Sequence, residues 1–127
     1  MKWIRTNRPI SGFLALLVLM AWTAVSEAAW FNPDWNYRKA IQIQASQVVG
    51  DLADFAVMFR ATDADLANSA QADGDDIVFA LEDGTQLDHE LERYNGSTGE
   101  LVAWIRIPNL SASANTNLYL YYGNPSA

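Results

Sequence analysis

Asp73-Gly74-Asp75-Asp76 sets three carboxylates within four residues of one another around a glycine. Hard cations such as calcium are held by several carboxylate and carbonyl oxygens converging on one turn, which makes Asp73, Asp75 and Asp76 the candidate metal ligands. The spacing departs from an EF-hand, which needs a glycine at the sixth position and a glutamate at the twelfth. A competing reading makes the loop an Asp-rich strand entry whose carboxylates satisfy turn amides. The turn-capping reading is the expected one, so no cofactor is expected, with calcium as the one alternative.

Asp88, Glu90 and Glu92 recur at steps of two. On a strand they share one face with neighbouring carboxyls roughly 7 Å apart, near the separation glycosidases use for a paired acid and base. A glycosidase also needs its two carboxyls to flank a substrate cleft, and these come from one strand on one side. They therefore read as an acidic outward face, with Arg93 or Arg106 as partners. His89, between Leu87 and Leu91, falls on the inward phase, where a neutral imidazole with one hydrogen-bond partner is the ordinary outcome. With no second histidine and no cysteine, it lacks the company a metal site requires.

Aromatic residues gather at both ends of the region after residue 28: Trp30, Trp35 and Tyr37 early, Tyr119, Tyr121 and Tyr122 late. Such rings stack on pyranose faces, so Trp35, Tyr37, Tyr119 and Tyr121 are the candidate carbohydrate-binding residues. The two groups meet if the first and last strands pair. The alternative is packing, in the core or against a neighbouring layer, because strand aromatics bury large apolar areas.

Composition narrows the remaining choices. The 127 residues hold 50% hydrophobic and 18% charged side chains, enough to bury one core and about one domain long. A net charge of −7 argues against nucleic acid as a partner. The absence of cysteine removes disulfides, thiolate zinc sites and cysteine nucleophiles together.

The N-terminal segment reads as an address. Lys2, Arg5 and Arg8 precede an apolar stretch from Ile10 to Ala24, and Ser26-Glu27-Ala28 supplies the small residues of a peptidase site. At about 15 residues the stretch is short of the roughly 20 that span a bilayer. Residues 1–28 are thus expected to be a signal-peptide helix cleaved after Ala28, meeting the membrane only transiently, and the rest an exported domain, periplasmic, surface-bound or secreted. Over residues 29–127 five bases stand against fourteen acids, a net charge of −9.

Period-two alternation runs through residues 37–45, where Tyr37, Ile41 and Ile43 take one phase. Residues 55–59 are apolar on both phases, which predicts a strand buried on both faces. An Ala-, Asp- and Asn-rich stretch over 63–72 predicts a short helix or loop capped by Asp63 or Asp65. Ile77, Phe79 and Leu81 share a face, and Asp83-Gly84 supplies the positive-φ pair of a tight hairpin turn. Residues 87–92 form its second strand, and Asn95 to Gly99 turn the chain again. The strand from Leu101 is expected to end at Pro108. The strands around Trp104 and Tyr121 carry side chains worth burying on both faces, so they should be central or lie beneath another layer. Phe79, Ile105, Ile107, Leu118, Leu120 and Tyr122 are the expected core. Six strands and almost no helix indicate an all-β fold, an antiparallel β-sandwich of about six to eight strands over residues 29–127.

The strings WFNPDWNYRKAI, ADGDDIVF, DGTQLDHELERY, TGELVAWIRIP and LYLYYGNPSA, in this order, resemble the bacterial domain of unknown function 2341 family over nearly all of residues 30–127. Ala56 departs from the proline usual after the phenylalanine. The resemblance implies an exported β-domain, often just before a concanavalin A-like or laminin-G-like lectin or glucanase domain, in other members fused to MotA/TolQ/ExbB-type proton channels. It assigns no catalytic residues. The strings lie nearer the lectin-linked branch, and the apolar strand just before Ala127 suggests that a further module follows. The expected function is a non-catalytic module assisting carbohydrate or surface-partner recognition beside a lectin-like module of the same polypeptide. The alternatives are a structural or sensor domain of a proton-channel protein, with a membrane module as neighbour, and an accessory part of a glycoside hydrolase.

Overall fold

The structure, a computed structural model, describes residues 28–127. The expected signal peptide therefore lies outside the described residues, apart from Ala28. Seven strands form two antiparallel sheets. They are β1 (Tyr37–Ile43), β2 (Leu52–Thr62), β3 (Val78–Leu81), β4 (Gln86–Leu87), β5 (His89–Asn95), β6 (Glu100–Leu110) and β7 (Thr116–Tyr122), with one short helix, α1 (Ala64–Ser69), after β2. Sheet A has the order β1-β7-β3-β4 and sheet B the order β2-β6-β5. The inward phases of both sheets make one core, and all six expected residues, Phe79, Ile105, Ile107, Leu118, Leu120 and Tyr122, lie in it. Leu66 of α1 closes one end of that core, and Asp63 caps the helix by accepting the Asp65 N–H at 2.8 Å.

Between β4 and β5 the chain changes sheets. Leu87 pairs with Phe79 in sheet A, whereas His89 pairs with Ile105 in sheet B. Asp88 sits at the crossing, and its carbonyl accepts the Arg106 N–H at 2.9 Å. The strand expected over 87–92 is thus two, although its phase persists: Leu87 faces inward and Asp88, Glu90 and Glu92 face out. A bulge at Glu92, between the pairs Leu91–Ala103 and Arg93–Val102, sets the rest of β5 one residue out of step.

Three further expectations are corrected. The β3–β4 hairpin does not use Asp83 and Gly84 as a positive-φ pair. Gly84 alone has φ +85, because the Asp83 carboxylate accepts the Thr85 N–H at 2.9 Å and the loop closes over three residues through Leu81 and Thr85. Pro108 does not end β6, which runs on to Leu110. The ladder omits the position where Pro108 faces Asp54, and Asp54 has φ +50 there, so the missing donor falls at an irregular point of β2. Finally, β2 is not buried on both faces: it is the outermost strand of sheet B, with Phe55 44% and Met58 53% exposed.

Candidate functional site

The residues before β1 explain the fate of the aromatic groups. Residues 28–36 lie as a strap on the outer face of sheet A, where Phe31 and Trp35 pack on Val78, Ala80 and Tyr121. Tyr121 is completely buried. Its hydroxyl donates to the Ala29 carbonyl at 3.4 Å and accepts from the Phe31 N–H and Arg38 Nη1, each at 3.2 Å. Trp35 Nε1 donates to the Asp76 carbonyl at 2.6 Å. The Arg38 guanidinium lies 4.2 Å from the Tyr119 ring centroid and 4.6 Å from that of Trp30, so both ring faces are engaged by a cation. Tyr37 is on the opposite phase and stacks on Tyr122, with ring centroids 5.3 Å apart. The first and last strands do pair, yet Trp35, Tyr37, Tyr119 and Tyr121 do not make one surface. Tyr121 offers no open face, because the layer that covers it is the chain's own strap.

Exposed Tyr37 lines a cleft of about 370 Å³ with Asn36, Asn68 and Gln71. Two of those amides already serve the fold: Asn36 Nδ2 donates to the Gly123 carbonyl and Gln71 Nε2 to that of Asn124, both at 2.8 Å. At the same end Lys39 Nζ lies 2.7 Å from carboxylate oxygens of Asp63 and Asp65. Hydrogen bonding to Lys39 holds the Asp63 carboxyl below the usual carboxylate range, and the two carboxylates raise the Lys39 ammonium above its ordinary value. Burial pushes the Tyr122 hydroxyl up.

The three loop aspartates do not converge, and among the described residues no three acidic or histidine side chains form a group able to hold a metal ion. Asp73 accepts the Asp75 N–H at 3.1 Å, the turn-capping alternative. Asp76 is buried, with Oδ1 accepting the Gln71 N–H at 2.8 Å and Oδ2 the N–H groups of Gly123 and Asn124 at 2.8 and 3.0 Å. Its carboxylate ties the loop to the segment after β7. His89 is fixed between two carbonyl oxygens, Leu87 at 3.1 Å from Nδ1 and Ile77 at 3.0 Å from Nε2, with its ring edge-on to Phe79.

The surface that sequence reasoning missed is the outer face of sheet B. Trp104 stands on β6, the central strand, between Met58 of β2 and Glu90 of β5. It is 41% exposed. Its indole N–H donates to Glu92 Oε2 at 2.6 Å, which fixes the ring on the sheet. On one side is a cleft of about 290 Å³ lined by Met58, Arg60, Glu92 and Arg93. Beyond the ring is a second, of about 240 Å³, lined by Ala56, Asp88, Glu90 and Arg106. The acidic row is loosely paired: Arg106 lies 3.8 Å from Asp88 and 3.7 Å from Asp54, while the bulge sends Arg93 to Glu100 at 3.1 Å. Three of the five bases in residues 29–127 therefore surround one tryptophan. Trp104 is central, as expected, but no second layer covers it among the described residues. The available signal was Arg106 on its own phase and the polar phase of the strand beside it.

No curated protein and no solved structure matches the chain. A family model described as domain of unknown function (DUF2341) matches residues 73–127, which run from the aspartate loop through β7 and include Trp104 and the acidic row. Over residues 73–127 the chain is thus similar to the DUF2341 family.

Proposed function

We propose that this is a non-catalytic recognition module that holds polysaccharide against the outer face of sheet B, with Trp104 as the stacking ring. The observation that carries the reading is a fixed, solvent-facing indole at the middle of the central strand, flanked by two clefts with charged hydrogen-bonding side chains. A pyranose presents an apolar C–H face to an indole and a rim of hydroxyls that carboxylates and guanidinium groups bind. Glu90 and Glu92 on β5, with Asp88 just before it, line one side of the face with no acidic wall opposite, an arrangement suited to holding a sugar chain rather than cleaving it. The basic and apolar N-terminal pattern supports export, and the resemblance supports a lectin-like module as neighbour.

The test is titration of the purified chain with plant and bacterial polysaccharides, followed by tryptophan fluorescence. Saturable binding is expected, lost in Trp104→Ala and kept in Trp35→Phe, whose ring belongs to the strap. Absence of saturable binding across the panel, or binding that survives Trp104→Ala, overturns the proposal.

A further inference from the structure

β2 is eleven residues long and bonded on one side only, to β6. On its other side no strand pairs with it among the described residues. It contains neither the lysine nor the proline that commonly blunts an edge, and it is apolar on both phases. Leu52, Phe55 and Met58 are all exposed. A sequence suited to burial on both faces thus lies at the rim of a three-stranded sheet, where another strand can add to it.

We propose that β2 pairs with β2 of a second copy of this chain, antiparallel about a two-fold axis through Val57, joining two three-stranded sheets into one of six strands. The register follows from the only two charged residues of the strand, Asp54 and Arg60. Centred on Val57, Asp54 of each copy faces Arg60 of the other, Phe55 faces Phe59 and Ala56 faces Met58. Centred one residue later, Asp54 would face Thr62 and Arg60 would face Ala56. Centred one residue earlier, Asp54 would face Met58 and Arg60 would face Leu52. Only the Val57 register sets the opposite charges against each other, and it does so twice because the interface is isologous. Both side chains are free to reach across: Asp54 and Arg60 are 66% and 67% exposed, and their contacts within the chain, to Arg106 and Glu100, are long, at 3.7 and 3.8 Å. The axis stands perpendicular to the sheet, so the two Trp104 faces look the same way, separated across the strands by three inter-strand steps, about 14 Å.

Sedimentation of the purified chain from micromolar to several hundred micromolar tests this. A reversible monomer–dimer equilibrium is expected. Arg60→Asp, an exposed change that leaves the core intact, opposes like charges twice and should weaken the dimer by roughly tenfold or more, about 1.4 kcal/mol. Asp54→Lys should do the same, and an equimolar mixture of these two variants should dimerise where neither does alone. Phe55→Lys should also abolish association, with the circular dichroism of each variant confirming its fold. A chain that is monomeric throughout the range, a dimer indifferent to Arg60→Asp, or a variant mixture no tighter than its components overturns the proposal.

Discussion

One carboxylate oxygen of Asp76 accepts the backbone N–H groups of both Gly123 and Asn124, joining the loop before β3 to the residues that follow β7. The loop that reads as a cation site from its composition is a clip between two chain segments. The Asp76 carboxylate accepts three backbone amides.

Asp76→Ala leaves the Gly123 and Asn124 N–H groups buried without acceptors. The expected cost is about 3 kcal/mol or more, since each buried unpaired group costs roughly 1–3 kcal/mol. Urea unfolding measures it. A loss under about 0.5 kcal/mol, the range of surface changes, would mean that the clip is dispensable.

Tyr121→Phe removes one hydroxyl that serves Ala29, Phe31 and Arg38 together. The expected loss is about 1–2 kcal/mol, concentrated in the strap. Hydrogen exchange at the Phe31 amide should quicken by roughly tenfold, the equivalent of about 1.4 kcal/mol, while amides in the middle of β6 change less. Equal acceleration at both places would show that the strap has no local stability of its own.

The Lys39–Asp63 pair gives stability a defined acid limb. The carboxyl of Asp63 is depressed in the folded chain, so its contribution is present above the unfolded value of about 4 and disappears as pH falls through the folded one. The raised Lys39 acts in the opposite sense, its contribution being lost only as pH rises through its folded value. Both side chains are partly exposed, at 34% and 29%, so solvent screening holds the pair to about 1 kcal/mol or less. In Lys39→Met the unfolding midpoint should fall slightly at neutral pH and converge with that of the parent as pH falls through the depressed folded value of Asp63. Parallel curves down to pH 2 would remove Asp63 as the source of the acid limb.

Much of the sandwich is legible in the sequence because alternation reports directly which phase of a strand is apolar. It placed Phe79, Ile105, Ile107, Leu118, Leu120 and Tyr122 inside and kept Asp88, Glu90 and Glu92 outside, even though their strand changes sheets at Asp88. Alternation does not report what covers an apolar phase. Tyr121 is covered by a strap with no period of its own, whereas Trp104 and the edge of β2 are open, and all three look alike as runs of apolar residues. The Asp83-Gly84 turn and Pro108 were misread because local residue preference was outweighed, in one case by a side-chain hydrogen bond and in the other by an irregularity in the paired strand.

The pairing of β1 with β7 has a mechanical consequence. Tyr37, the first residue of β1, lies opposite Tyr122, the last of β7, but the strap carries the chain before β1 back across sheet A to Glu82, whose carbonyl accepts the Ala29 N–H at 2.8 Å. Tension between Ala29 and Gly123 would therefore load the strap's bonds to Glu82 and Tyr121 before it reached the ladder at Tyr37 and Tyr122. The Asp76 clip and the Asn36 contacts with Gly123 hold the Tyr37–Tyr122 end of that ladder. Strap and ladder would give way in turn, the outer layer peeling from Tyr121 before β1 parts from β7.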